Sequence, residues 1–374
     1  MADNEELCVN AQLGMPMLEH GERSISWFEF WPIWIFYIPV AVQWLLLALR
    51  YRSWSLPLIA NPAIPLSGMV GVPKSAVFDG AGATARAWVL PWCLYQVQAL
   101  PMQEQINQAL ALLQEHKLEF PVVAKPNIGC RGVGVKLLHN TDELRNCLSH
   151  YPPGANIQFQ QLAQWEAEAG IFYVREPDAK AGTITSLTLK YTPYVTGDGR
   201  RTLAELVAAD ERAGKLQHLY KNTAHNVQHW HRVLAPGERH RLLFSATHSR
   251  GAVFRDAREL ISTKLSQTMD TILADIPGLY YGRMDVKFKD IDSLRAGRDF
   301  AIIEINGASA ESINIWDRNA GLGEALKTLL QQYRTLFKLG AINRDRGHKP
   351  PGFRALIRAW QYERRLAKQY PLND

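Results

Sequence analysis

The chain has 374 residues, 47% of them hydrophobic, and a net charge of +6 at pH 7. That length suffices for a sizeable core and two or three domains, while the mild positive excess suits a phosphate-rich ligand or an anionic membrane surface and implies no nucleic-acid partner. Four scattered cysteines (Cys8, Cys93, Cys130, Cys147) lack C-x-x-C spacing, which excludes a disulfide framework or zinc ribbon and points to a reducing compartment.

Residues 1–26 read as a polar tail. Phe30–Leu49 then runs for 20 residues without a charge, crowded by Trp27, Trp31, Trp34 and Trp44. The predicted element over 27–50 is a membrane-associated apolar helix, close to the length that crosses a bilayer, with aromatic residues of the kind that gather at its interfaces. Pro32 and Pro39 bend such a helix, so spanning and lying in one leaflet both stay open, as does a buried helix of a soluble protein. A cleavable signal peptide fits poorly, because the basic start and a small-residue cleavage site are missing. Arg50 and Arg52 follow the run, which favours a cytoplasmic body if the helix spans. The Pro- and Gly-dense stretch 51–73 reads as a linker, with Asn61–Met69 a secondary candidate for lining a substrate site.

The periodicity of 102–118 predicts a helix, and "FPVVAKP" and "GVGVKLL" predict two short strands around a glycine-rich turn. A helix capped by Thr141 and a strand at "ANIQFQQL" follow. Further strands are predicted at "AGIFYVRE", "GTITSLTLKYT" and "YVTG", then a short helix at "TLAELVAADERAG" and a longer one at "ELISTKLSQTMDTILADI". Two strands, "YYGRMDVKFKD" and "DFAIIEINGA", precede a helix over 322–339. The mixture is an α+β pattern without short-period repeats. The C-terminal segment within 339–374 reads as a basic amphipathic helix, suited to lipid headgroups or to packing on the body.

Alternation places Arg283, Asp285 and Lys287 on one face of the first late strand, with Met284, Val286 and Phe288 on the other. Pairing with the next strand as an antiparallel hairpin brings Glu304 and Asn306 to the same side as Asp285. Two carboxylates and a carboxamide form a hard oxygen cluster suited to Mg²⁺; a solvated sheet face balanced by Arg283 and Lys287 is the plainer reading. Upstream, Lys125 ends a buried strand before a turn with Gly129, Arg131, Gly132 and Gly134. Such a turn lets backbone amides approach phosphate oxygens, although neither a Walker A loop nor a dinucleotide fingerprint is present.

Lys125-Pro126 before the glycine-rich loop, then Gly282-Arg283-x-Asp285, then Glu304-x-Asn306-Gly307, together resemble the ATP-grasp superfamily, and within it D-alanine–D-alanine ligase-like carboxylate–amine ligases. The resemblance covers about residues 74–338 and implies a two-lobed ATP-grasp fold, with lobes over 74–168 and 169–338. It implies that Lys125 and Lys74 hold ATP phosphates, that the Gly129–Gly134 loop closes over them, that Gln161 and Leu162 flank adenine, and that Glu168 binds the ribose, with Glu166 the competing choice. Asp285, Glu304 and Asn306 would ligate magnesium, two ions being expected and Mn²⁺ an acceptable substitute. Arg283 would stabilise the acyl phosphate, Ser309 would sit near the acceptor, and Arg250, beside His248, would supply a further cation. The implied partners are ATP, a carboxylate and an amine or thiol; the apolar segment adds membrane lipids as partners and leaves a membrane-associated substrate open. An ATP-grasp kinase and a non-catalytic nucleotide-binding scaffold are the alternatives. The usual N-terminal substrate domain is not legible, so D-alanine is not implied. A zinc reading of His225, His229 and His231 is set aside, since no defined helix presents them with a Cys or Glu.

Overall fold

The computed structural model describes residues 12–18, 28, 31–129, 133–245, 247 and 250–371. Among these, two antiparallel sheets face each other. The first holds β1 (Trp92–Gln96), β2 (Val122–Pro126), β3 (Lys136–Leu138) and β4 (Asn156–Gln161), in the order β1-β4-β2-β3. The second holds β5 (Ala167–Val174), β6 (Thr183–Tyr191), β9 (Val253–Asp256), β10 (Tyr281–Phe288) and β11 (Phe300–Asn306), in the order β11-β10-β5-β6-β9. Between β6 and β9 a small module inserts. It carries the two-stranded ribbon of β7 (Tyr194–Thr196) and β8 (Arg239–Arg241) and a core around Leu203, Val207, Tyr220, Trp230 and Leu242. A capping box between Thr202 and Glu205 starts its helix Leu203–Ala209.

Each sheet has its own helical backing. On the first, α2 (Met102–Glu115) and α3 (Thr141–Ser149) bury Ile106, Leu113, Leu144 and Leu148 against Val122, Ala124, Ile157 and Phe159. Asn140, one residue before the predicted cap, accepts the Glu143 amide through its side chain, so Thr141 is the first helical residue. On the second sheet, α4 (Thr263–Ala274) buries Leu265, Met269 and Ile272 against Ile171, Leu187, Met284 and Val286.

The long helix α5 (Leu322–Asp345) runs past the expected end at residue 339. The expected domain boundary there therefore falls inside one helix, and α6 (Phe353–Ala367) is a separate element. The apolar run near the N-terminus forms α1 (Ile33–Tyr51), with Pro39 inside it. Among the described residues, one side of α1 meets the body: Phe36 and Val40 share a core with Trp316 and Leu329, and Trp44 packs edge-on with Tyr333 and Phe337.

The stretch 51–73 is not a linker. Leu56–Ile59 is a buried turn of 3₁₀ helix, and the fully buried Asn61 stitches the segment to β10. Its Oδ1 accepts from the Tyr280 and Tyr281 amides, and its Nδ2 donates to the Tyr281 carbonyl, each at 2.7–2.9 Å. Prolines and glycines mark irregular backbone, and irregular backbone can be interior when side chains satisfy its polar groups.

Candidate active site

The two sheets enclose a cleft of about 1060 Å³. From the second sheet, β10 and β11 form the predicted antiparallel hairpin, in a register that sets Asp285 opposite Glu304 and Arg283 opposite Asn306. Alternation puts Met284, Val286 and Phe288 in the core and leaves Arg283, Asp285 and Lys287 lining the cleft. The ladder carries a bulge: Asp285 pairs with Glu304 but Val286 pairs with Ile302, so Ile303 has no partner on β10.

Lys125 reaches this bulge from the first sheet. Its Nζ donates to the Ile303 carbonyl at 3.0 Å and to Gln160 Oε1 at 2.7 Å. Burial pushes the Lys125 ammonium down to about 8, against the opposing pull of Glu304. Lys74 sits beside it, donating to Glu304 Oε1 at 2.6 Å and to the Gly129 carbonyl at 3.0 Å. Burial works against ionisation of Glu304, but Lys74 and Lys125 outweigh it and hold the carboxyl down to about 2.

The Asp285 carboxylate is tied on both sides. Arg283 donates from Nε to Asp285 Oδ1 at 2.7 Å and from NH2 to Oδ2 at 3.1 Å, and Asn306 Nδ2 donates to Asp285 Oδ2 at 3.3 Å. Glu168 lines the same cleft but is held in a buried ion network with Lys190 and Lys287. Burial opposes its charge, yet the two ammonium groups hold its carboxyl well below the ordinary range. Because Glu168 belongs to β5, the division between the sheets falls before Ala167, short of the expected boundary at 168.

The remaining expected positions divide. Gln161 and Leu162, the connection between the sheets, line the cleft, as do Glu166 and Gly129. Gly134 lies just outside it at φ +75°, where its carbonyl accepts from Tyr151 Oη. Arg131, Gly132 and His248 lie outside the described residues. Arg250 is not among the residues that line the cleft; its carbonyl accepts from Tyr220 Oη within the inserted module. Arg241 from β8 faces the cleft instead, its guanidinium fixed by the Leu243 carbonyl at 2.9 Å. Of the three histidines set aside as zinc ligands, His225 and His229 pack their rings with His240, at centroid distances of 4.7–5.8 Å. His240 stacks on His225 and donates from Nε2 to Asn226 Oδ1 at 2.9 Å, and no group of three metal-ligating His, Cys, Asp or Glu side chains occurs among the described residues.

At the far end, Ser309 donates its hydroxyl to the Gly68 carbonyl at 2.9 Å. Here the buried 61–69 stretch presses on the loop after β11 so closely that a Cβ on Gly307 would lie 2.3 Å from the Ser67 carbonyl oxygen. Glu311, part-buried beside Ile313 and Trp316, accepts a hydrogen bond from Tyr37 of α1 and is pushed up to about 7 by burial.

Sequence reasoning missed Gln160, Lys190, Arg241 and Glu311. Lys190 had a signal, a lone charge inside the apolar alternation of "TITSLTLKY"; the other three are placed by tertiary contacts.

No family model and no curated protein sequence matches the chain. Among solved structures it is similar to a bifunctional glutathione synthetase from Pasteurella multocida, at 14% identity and a TM-score of 0.37, with 71% of this chain and 36% of that one covered. It is likewise similar to the VanG D-Ala:D-Ser ligase from Enterococcus faecalis, at 10% and 0.39, covering 72% and 62%. A third is the D-alanine–D-alanine ligase from Bacillus anthracis, at 11% and 0.38, covering 74% and 69%. The chain thus spans about a third of the length of the synthetase it matches. These names belong to the class that the motif resemblance implies, but an overlap of this size transfers no activity, and the chemistry rests on the cleft's own residues.

Proposed function

We propose that this chain is an ATP- and Mg²⁺-dependent ligase of ATP-grasp type that activates a carboxylate as its acyl phosphate and joins it to an amine. One observation carries the reading. Lys125 from one sheet meets the Glu304–Asp285–Asn306 cluster of the other, at the Ile303 carbonyl, across a cleft large enough for a nucleotide and a second substrate.

In this reading Lys125 and Lys74 bind the phosphates of ATP, and Gln161 and Leu162 border the adenine. Both lysines now neutralise Glu304 or its surroundings, so a triphosphate entering the cleft offers them a competing anion. The donor set of Asp285, Glu304 and the Asn306 carboxamide, all hard oxygens, fits magnesium. Magnesium, when bound there, offsets charge on the transferring phosphoryl group. Arg283, freed from Asp285, is positioned to steady the acyl phosphate and the tetrahedral species that follows. The amine enters at the Ser309–Glu311 end, and closure over the cleft keeps water from the acyl phosphate. We place the chain at a membrane through α1, with the catalytic body cytoplasmic.

The test is to follow ADP, phosphate and mass-shifted products when the protein is given ATP, Mg²⁺ and metabolite or lipid extracts. Release of ADP and phosphate only when a carboxylate and an amine are both present supports ligation. Phosphate retained on the acceptor means a kinase, and turnover unaffected by Glu304→Ala removes the catalytic reading altogether.

A further inference from the structure

The 19 residues of α1 form a rod about 28 Å long, enough to cross a hydrocarbon core. By length and composition it is the one such helix among the described residues. Its packing, however, is one-sided. Phe36, Val40, Trp44 and Ala48 face α5 and Trp316, while Tyr37 is tied to Glu311 at the cleft. A span would strip these contacts away or drag α5, with Glu324, Lys327, Arg334 and Lys338, towards the hydrocarbon, which charged side chains strongly oppose.

The other side of the rod is apolar and exposed, with no described residue packed on it. Trp34, Ile38, Val42, Leu45, Leu46 and Leu49 recur at helical spacing, with Trp34 65% and Leu49 70% exposed. The ends of this stripe carry the chemistry of a membrane surface. Exposed Trp31 and Trp34 mark one end; Arg50, Arg52 and exposed Trp54 mark the other. A protein partner would need no such arrangement of indoles and cations, whereas an anionic leaflet matches both.

We propose that α1 lies in the plane of one anionic phospholipid leaflet, its outward stripe sunk into the acyl boundary and its inward face holding the catalytic body. The proposal rests on the membrane-association reading above and goes beyond it by choosing in-plane over spanning. Tyr37 then sets the Glu311 end of the cleft within about one helix diameter, ~10 Å, of the headgroups.

The test uses the full chain and vesicles of phosphatidylcholine with and without phosphatidylglycerol. The wild type is expected to float with the anionic vesicles, and Leu46→Glu/Leu49→Glu to lose at least about tenfold of that binding with an unchanged melting temperature, since both side chains are exposed. Environment-sensitive dyes on Ile38→Cys, Val42→Cys and Leu49→Cys, read against shallow- and deep-brominated lipids, are expected to report one shallow depth. A profile deepest at Val42 and shallower towards Leu49 means a span and overturns the in-plane placement while sparing membrane association. Vesicle binding that the double substitution leaves intact assigns the contact to another surface. Failure of the wild type to bind either vesicle overturns both readings.

Discussion

The two faces of β10 do opposite work. Met284, Val286 and Phe288 are buried in the hydrophobic core, while Arg283, Asp285 and Lys287, interleaved with them, face the cleft, each in an ion pair. One strand therefore holds a structural face and a chemical face that are separable by mutation. Core substitutions should cost stability in proportion to lost packing, and cleft substitutions should cost chemistry while the fold persists.

The sharpest way to break that separation is at Asp285. Asp285→Asn is expected to lower ATP turnover by about 10³-fold or more, roughly 4 kcal/mol, while shifting the melting temperature by only a few degrees. Steady-state ADP release and calorimetry read the two quantities side by side, and a variant that simply unfolds would show the faces to be one unit. On the opposite face, Phe288→Ala should cost about 3–5 kcal/mol in denaturant unfolding with turnover per folded molecule preserved.

Lys125 tests the same division from the other sheet. Lys125→Met keeps the stem's packing and removes the charge-assisted bonds to Gln160 and Ile303. Nucleotide affinity, measured by titration calorimetry, should fall about 10- to 100-fold, in line with 1.5–3 kcal/mol for such a bond.

The smallest effect concerns Glu311, where a cleft residue does weigh on stability. Its carboxyl is pushed up to about 7 from an ordinary value of 4.5. Between those values the folded chain holds a proton that the unfolded chain has lost, so stability falls as pH rises through this window and levels off above it. Glu311→Gln cannot ionise, and should gain on the parent by about 1–3 kcal/mol between roughly pH 5 and 8. Thermal melts across that range check it, and a constant gap would show that Glu311 is not the titrating group.

Much of the cleft face was legible because alternation is a strong signal in a short strand. The spacing of Asp285, Glu304 and Asn306 fixes their common side once a hairpin is assumed, and Lys125 stands out at the end of an apolar run. What stayed hidden depends on contacts distant in the chain. Asn61 looks like any loop asparagine until its partners, Tyr280 and Tyr281, are brought to it from 219 and 220 residues away. Arg250 and Arg241 are both arginines near the same turn, and only the course of the inserted module decides that Arg241 faces inward. Glu311 reads as a polar residue after a strand; its raised carboxyl value comes from the apolar surroundings shared with α1.

The unpaired residue in the β10–β11 ladder has a consequence for how tolerant this hairpin can be. Ile302, opposite Val286, points into the core and Glu304, opposite Asp285, lines the cleft, so the two already hold consecutive places in the ladder and removing Ile303 would leave both faces as they are. What the deletion would withdraw is the carbonyl on which Lys125 rests, so a single missing codon would loosen one sheet from the other while the hairpin itself closed up.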